Sequence, residues 1–85
     1  MDRFYMLHAL NVRIRELKDT YRGYVNNIGG WSKQYCTVRR SVVKKELNIC
    51  MLVKFLLEKA DVEQLTDPDA IDGFQKLVEP VNRGR

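Results

Sequence analysis

Leu7, Leu10, Ile14, Leu17, Tyr21 and Tyr24 follow one another at intervals of three, four, three, four and three. At 100° per residue these six side chains fall within an arc of about 100°, the width of a helix face that packs on a core. The spacing predicts a helix over 2–24. Asp2 can cap its first turn, and Gly23 with the cluster Asn26-Asn27-Ile28-Gly29-Gly30 ends it, because most of these residues adopt positive φ readily.

Ser32 can cap a second helix, predicted over 32–60. Its start is ambiguous: 35–43 mixes β-branched and aromatic residues with Arg39 and Arg40, so a short strand competes there. The helix is favoured because Tyr35, Val38, Val42, Ile49, Val53 and Leu56 share one helical face, the expected core face. Leu47, Cys50, Met51 and Phe55 widen it until 47–57 is apolar nearly all round, as in a helix at the centre of its fold. A third helix is predicted over 67–79. Asp67-Pro68 is a helix start, Ile71, Phe74, Leu77 and Val78 form its apolar face, and Pro80 stops it. The expected architecture is a small all-α bundle of three helices in a single domain, 1–85, with no internal repeat.

Eighty-five residues bury only about 60–65 % of the surface of the unfolded chain, so the core is small and a dimer would relieve the shortage. The three-four repeat over 7–24 is as much the seam of a coiled coil as the face of an intramolecular bundle, so a homodimer enters as a possible partner state. The longest apolar run, 49–57, is broken by Lys54 and is far short of the ~20 residues of a membrane span. The N-terminal segment carries Asp2, Arg3, His8 and Arg13 and lacks the unbroken apolar stretch of a secretory signal. A cytoplasmic protein is expected, with Cys36 and Cys50 as reduced packing thiols. The single histidine, His8, and the absence of Cys-x-x-Cys spacing leave no basis for a metal site, and no cofactor motif is present.

Charge changes the picture most. Residues 1–57 carry a net +7, residues 58–79 a net −5, and Arg83 and Arg85 restore the total to +4. A basic body joined to an acidic segment suggests a surface for an anionic partner. On the first helix Asn11, Arg15, Lys18 and Arg22 form a stripe beside the apolar face, while Arg13 lies on that face's other side. On the second, Lys33, Arg40, Lys44 and Lys54 fall within about 80° of one another. If the two helices pack through their apolar faces, these edges can merge into one cationic groove, the footprint of a phosphate backbone. The candidate nucleic-acid-binding residues are Arg13, Arg15, Lys18, Arg22, Lys33, Arg39, Arg40, Lys44 and Lys45. Trp31 and Tyr35 beside Lys33 are candidate stacking groups, which favours RNA over double-stranded DNA. Against this stand ordinary solvated lysines and arginines, and a Trp31 that closes one end of a small core.

The acidic segment admits three readings: a solvated face, a flap that restrains the basic groove, or a contact for a basic partner. Asp67 and Asp69 fit helix-start chemistry. Ser32, Cys36 and Cys50 have no neighbouring base in the sequence, and an 85-residue bundle has little interior in which to split the pKa values of two carboxylates, so an enzyme is not expected.

In size and composition the chain resembles the small accessory and counter-defence proteins of bacteriophages: a basic body without catalytic residues, an acidic C-terminal segment and two reduced cysteines. The resemblance implies RNA binding, or binding and disabling of a host or defence factor such as a ribonuclease toxin, in the host-cell cytoplasm. The sequence expectation is therefore a small RNA-binding protein acting by occupancy, with a protein-binding inhibitor as the rival.

Overall fold

The first helix, α1, spans Arg3–Val25, and Asp2 opens it as expected: its Oδ1 accepts from the Phe4 amide at 2.6 Å. In this computed structural model, which describes residues 1–60 and 62–79, α2 follows over Lys33–Lys59 and α3 over Pro68–Val78. The bundle is all-helical, with one isolated antiparallel bridge between Asp2 and Gln64. Residues 35–43 are helical, not a strand. Ser32 Oγ accepts from the Tyr35 amide at 3.1 Å, and a lone strand there would leave its ladder groups without a partner. Asp67 caps α3, Oδ1 accepting from the Asp69 amide at 3.3 Å with Pro68 in the first turn. The Pro80 expected to stop α3, and the Arg83 and Arg85 that restore the charge, lie outside the described residues.

The turn that reverses the chain depends on Asn27. It adopts φ 49°, a conformation Asn tolerates better than most residues, and its side-chain amide grips Trp31 at both ends. Nδ2 donates to the Trp31 carbonyl at 2.9 Å, and Oδ1 accepts from the Trp31 amide at 2.8 Å. Trp31 thereby folds across Gly29, where a Cβ would lie 2.3 Å from the indole ring.

The turn makes α1 and α2 an antiparallel hairpin. Arg13 meets Glu46 and Tyr24 meets Tyr35, so residues whose numbers add to about 60 stand at one level. On that register the large Leu10, Leu17 and Tyr24 of α1 face the small Cys50, Val43 and Cys36 of α2, all buried in one core. Large against small lets two helices approach closely at native density. The predicted stripe of α1 is largely its buried face: Leu10, Ile14, Leu17 and Tyr24 are buried and Leu7 and Tyr21 half-buried, with Met6 and Arg13 added.

The predicted core face of α2 needs correction. Of Tyr35, Val38, Val42, Ile49, Val53 and Leu56, only Val53 is half-buried, and the other five are exposed. The helix turns Cys36, Val43 and Cys50 inward instead, with Leu47 and Leu57 beside them. Burial follows the surface opposite: α1 offers bulky side chains, which admit cysteine and valine, and among the described residues no further element covers the outer side of α2.

α3 packs on one flank of the hairpin. Phe74 is buried, and with Gly73 and Leu77 it lines a cleft against Met6, Val53 and Leu57. Residues 63–65 run antiparallel to the chain start: the Arg3 amide donates to the Glu63 carbonyl at 3.0 Å and the Leu65 amide to the Met1 carbonyl at 2.8 Å. The Cα envelope is 44 × 26 × 16 Å, a flat slab.

Candidate nucleic-acid interface

When two antiparallel helices face each other, the same rotational side of each lies on the same side of the pair. Reversing the chain direction reverses the sense of rotation, and turning the helix to face its neighbour reverses it again. On α1, Lys18 and Arg22 stand about 80° and 120° round from the Leu10 core position. On α2, Arg40 and Lys44 stand about 40° and 80° round from Cys36 in the same sense. Both edges therefore rise on one flank. A shallow groove there is lined by Lys18, Tyr21, Arg22 and Val25 of α1 and Leu47 of α2. Leu47 is about 20° from Arg40 and 60° from Lys44, so these two cations flank the same wall.

The antiparallel register interleaves the charges. Lys18 is level with position 42, between Arg40 and Lys44, and Arg15 and Arg22 continue the row on either side. Arg15, Lys18, Arg22, Lys33 and Lys44 are exposed and Arg40 is half-buried, its Nη2 donating to Thr37 Oγ1 at 3.4 Å. Of this set, only Arg22 forms an ion pair among the described residues, with Asp19 at 3.3 Å. Both side chains of that pair are about two-thirds exposed, so it offsets the local charge by at most about 1 kcal/mol.

Three predicted cations stand elsewhere. Arg13 is 7 % exposed, with Nη2 3.2 Å from Glu46 Oε2 and Nη1 3.9 Å from Glu16. Its guanidinium joins the two helices and is not offered to solvent. Arg39 stacks over the Tyr24 ring at 5.9 Å, and its Nε and Nη2 are buried without a protein acceptor. Lys45 projects from the outer side of α2, about 100° from Lys44. The sequence carried no signal for the fate of Arg13, because pairing it with Glu46 requires the hairpin register.

The aromatic candidates sit on the opposite flank. Tyr24, Trp31 and Tyr35 form a triangle with ring centroids 5.0, 5.8 and 6.1 Å apart, which closes the hairpin end of the core. Tyr35 lies about 160° round α2 from Lys33, so proximity in sequence does not become proximity in space. Trp31 is the lid on Tyr24, although 39 % of its surface stays open.

The described residues of the acidic segment do not cover the groove. α3 packs on the flank away from Lys18 and Arg22, where Gln75, Val78 and Glu79 line a cleft with Tyr5, Val12 and Glu16. Among the described acids, Asp67 caps a helix, Asp72 pairs with Lys76 at 3.1 Å, and Glu63 lies 4.0 Å from Arg3. No protein-family model, curated protein or solved structure matches this chain.

Three further observations bound the chemistry. Among the described residues no group of three His, Cys, Asp or Glu is placed to hold a metal ion, and no helix is long and apolar enough to cross a membrane. Both cysteines are buried and unpaired with each other. Burial pushes the Cys50 thiol up from 9.0; Arg13 pulls the other way and Glu46 adds to the rise. A buried thiol held neutral is a packing group rather than a nucleophile.

Proposed function

We propose that this protein binds the phosphate backbone of a nucleic acid along the α1–α2 flank, and acts by occupying it. The observation that carries this is the interleaved row of Arg15, Lys18, Arg22, Arg40 and Lys44, with Lys33 beyond it toward the turn. Cations on two facing helices at one level form a groove of concentrated positive potential, and each phosphate seated there releases condensed counterions. Six seated phosphates give a log-log salt slope of about −4 on a single strand. With Trp31 and Tyr35 on the other flank, recognition depends on phosphates more than on stacked bases, so sequence preference is weak.

The test is a binding titration of nuclease-treated protein with single-stranded RNA, and with duplex DNA for comparison, at several salt concentrations. Arg40→Glu combined with Lys44→Glu is expected to weaken binding at least about tenfold and to flatten the single-strand salt slope by about 1.4, or ~0.7 for each phosphate left unseated. The reading fails if a folded double variant binds as the parent does, or if binding is insensitive to salt. A protein-binding inhibitor is the second reading. It rests on the exposed apolar side chains of α2, of which Val38, Leu52 and Leu56 are each more than half open to solvent.

A further inference from the structure

The outer side of α2 carries its own repeat. Val38, Val42, Lys45, Ile49, Leu52 and Leu56 follow at intervals of four, three, four, three and four. Tyr35 and Lys59 extend the series at its ends, so eight positions cover nearly the whole of α2. At 100° per residue the six central positions lie within about 80°, on the side turned away from Cys36, Val43 and Cys50. In heptad terms Tyr35, Val42, Ile49 and Leu56 occupy one seam position and Val38, Lys45, Leu52 and Lys59 the other. The intramolecular core has already used the opposite face of the same helix.

We propose that this face is the seam of a two-fold, antiparallel homodimer in which α2 packs on α2 of a second copy. Area argues for a stable contact. The apolar residues of the stripe together with Phe55 leave roughly 700 Å² exposed per copy, close to the ~800 Å² each partner contributes to a standard interface. A monomer rarely leaves so many large apolar side chains in water along one helix face, here divided only by Lys45. The core it would supplement is small, with nine buried apolar side chains among the described residues.

The lysines select the orientation. In a parallel pair Lys45 would face Lys45 and Lys59 would face Lys59 of the second copy, with no carboxylate in the seam. In an antiparallel pair the two seam positions face each other, and the register that overlaps most of α2 sets Val38 opposite Leu56 and Val42 opposite Leu52. Lys45 then lies opposite Ile49, its ammonium able to extend past the apolar layer into water, and Lys59, whose ammonium stands 5.6 Å over the Phe55 ring of its own chain, closes the end of the seam. Glu46, the acid nearest the seam, is held on the inner side by Arg13 at 3.2 Å.

The two-fold axis of such a pair runs between the two α2 helices, perpendicular to the plane they share, so both cationic flanks emerge on one side of the dimer. The Arg40 and Lys44 rows of two copies would form one basic surface, with α3 and the aromatic triangle of each copy on the reverse. Only that consequence depends on the nucleic-acid reading; the seam does not.

Sedimentation velocity on nucleic-acid-free protein, from low micromolar to submillimolar concentration, tests the proposal without any ligand. The expected species is twice the 10.0 kDa chain, and it gains population as salt screens the lysines. Leu52→Lys, at an exposed position that leaves the core intact, is expected to raise the dimer dissociation constant at least tenfold. Lys45→Leu is expected to lower it. Ile49→Glu, compared with Ile49→Gln, decides the orientation: both lose apolar burial, but only in an antiparallel pair does the carboxylate lie opposite Lys45 of the second copy, so Glu is expected to weaken the dimer less than Gln at low salt, whereas in a parallel pair Glu faces Glu and weakens it more. A 10.0 kDa species throughout, or a dimer indifferent to Leu52→Lys in a folded protein, would overturn the seam. If the chain stays monomeric while RNA binding persists, the seam alone is wrong; a dimer that ignores RNA leaves the seam standing and refutes the groove.

Discussion

The two faces of α2 carry similar hydrophobicity and meet opposite fates. Its inner face uses Cys36, Val43 and Cys50, small residues that are at most 6 % exposed, while the outer face presents Ile49, Leu52 and Leu56, larger and about half exposed. Apolar volume on a helix therefore does not decide which side is buried. The decision belongs to the opposing surface: α1 brings Leu10, Leu17 and Tyr24 to the interface, and only small partners let the axes close. What remains outside is a second apolar stripe, free to serve contacts between molecules.

The sharpest way to break this comparison is to truncate one leucine on each side of the hairpin. Leu17→Ala, in the core, is expected to cost about 3 kcal/mol in urea unfolding, whereas Leu52→Ala changes the stability of the monomer by less than about 0.5 kcal/mol. Equal losses would mean that the outer face is also packed within one chain. Next in size is Arg13→Ala, which removes the cation holding Glu46 between the helices. A loss of about 2 to 3 kcal/mol is expected, below the 3 to 5 of a fully buried pair because the Glu46 side chain is 32 % exposed. Arg13→Met should lose less, since its side chain still fills the site.

At the hairpin end, Gly29→Ala drives a methyl group into the Trp31 ring and should lift the indole from Tyr24. The expected readouts are a red shift of the tryptophan fluorescence and a loss of about 1 to 2 kcal/mol, with the helical circular dichroism retained. Smallest is an alkaline effect at Cys50. Its folded pKa is raised, so the folded state holds the proton longer than the unfolded chain does. Stability is then whole below the ordinary thiol value of 9.0 and falls as pH rises through the folded value. Cys50→Val should flatten that decline in unfolding measured from about pH 8 to 10.5, and an unchanged slope would assign the decline to other groups.

The elements themselves were legible along the chain. Asp2, Ser32 and Asp67 cap the helices they were expected to cap, and the three-four spacing of α1 matches its buried face, because capping and helical periodicity act within a few residues of sequence. The candidate groove was legible in part. Angular position identified Asn11, Arg15, Lys18 and Arg22 as one edge and Lys33, Arg40, Lys44 and Lys54 as another, and an antiparallel hairpin sets both on one flank. Arg13, Arg39 and Lys45 could not be sorted in the same way, since each depends on what lies across from it.

Local chemistry alone thus determined three helices, their starts, the buried stripe of α1 and the separation of a basic body from an acidic segment. Tertiary structure alone decided which side of α2 faces inward, that Arg13 meets Glu46, and that Trp31 and Tyr35 gather on Tyr24 away from Lys33. The reason is that α2 is apolar over most of its circumference between 47 and 57, so its own pattern fits several rotations about the helix axis. The choice among them is made by the shape and charge of α1, a partner more than thirty residues away along the chain at the Arg13–Glu46 level.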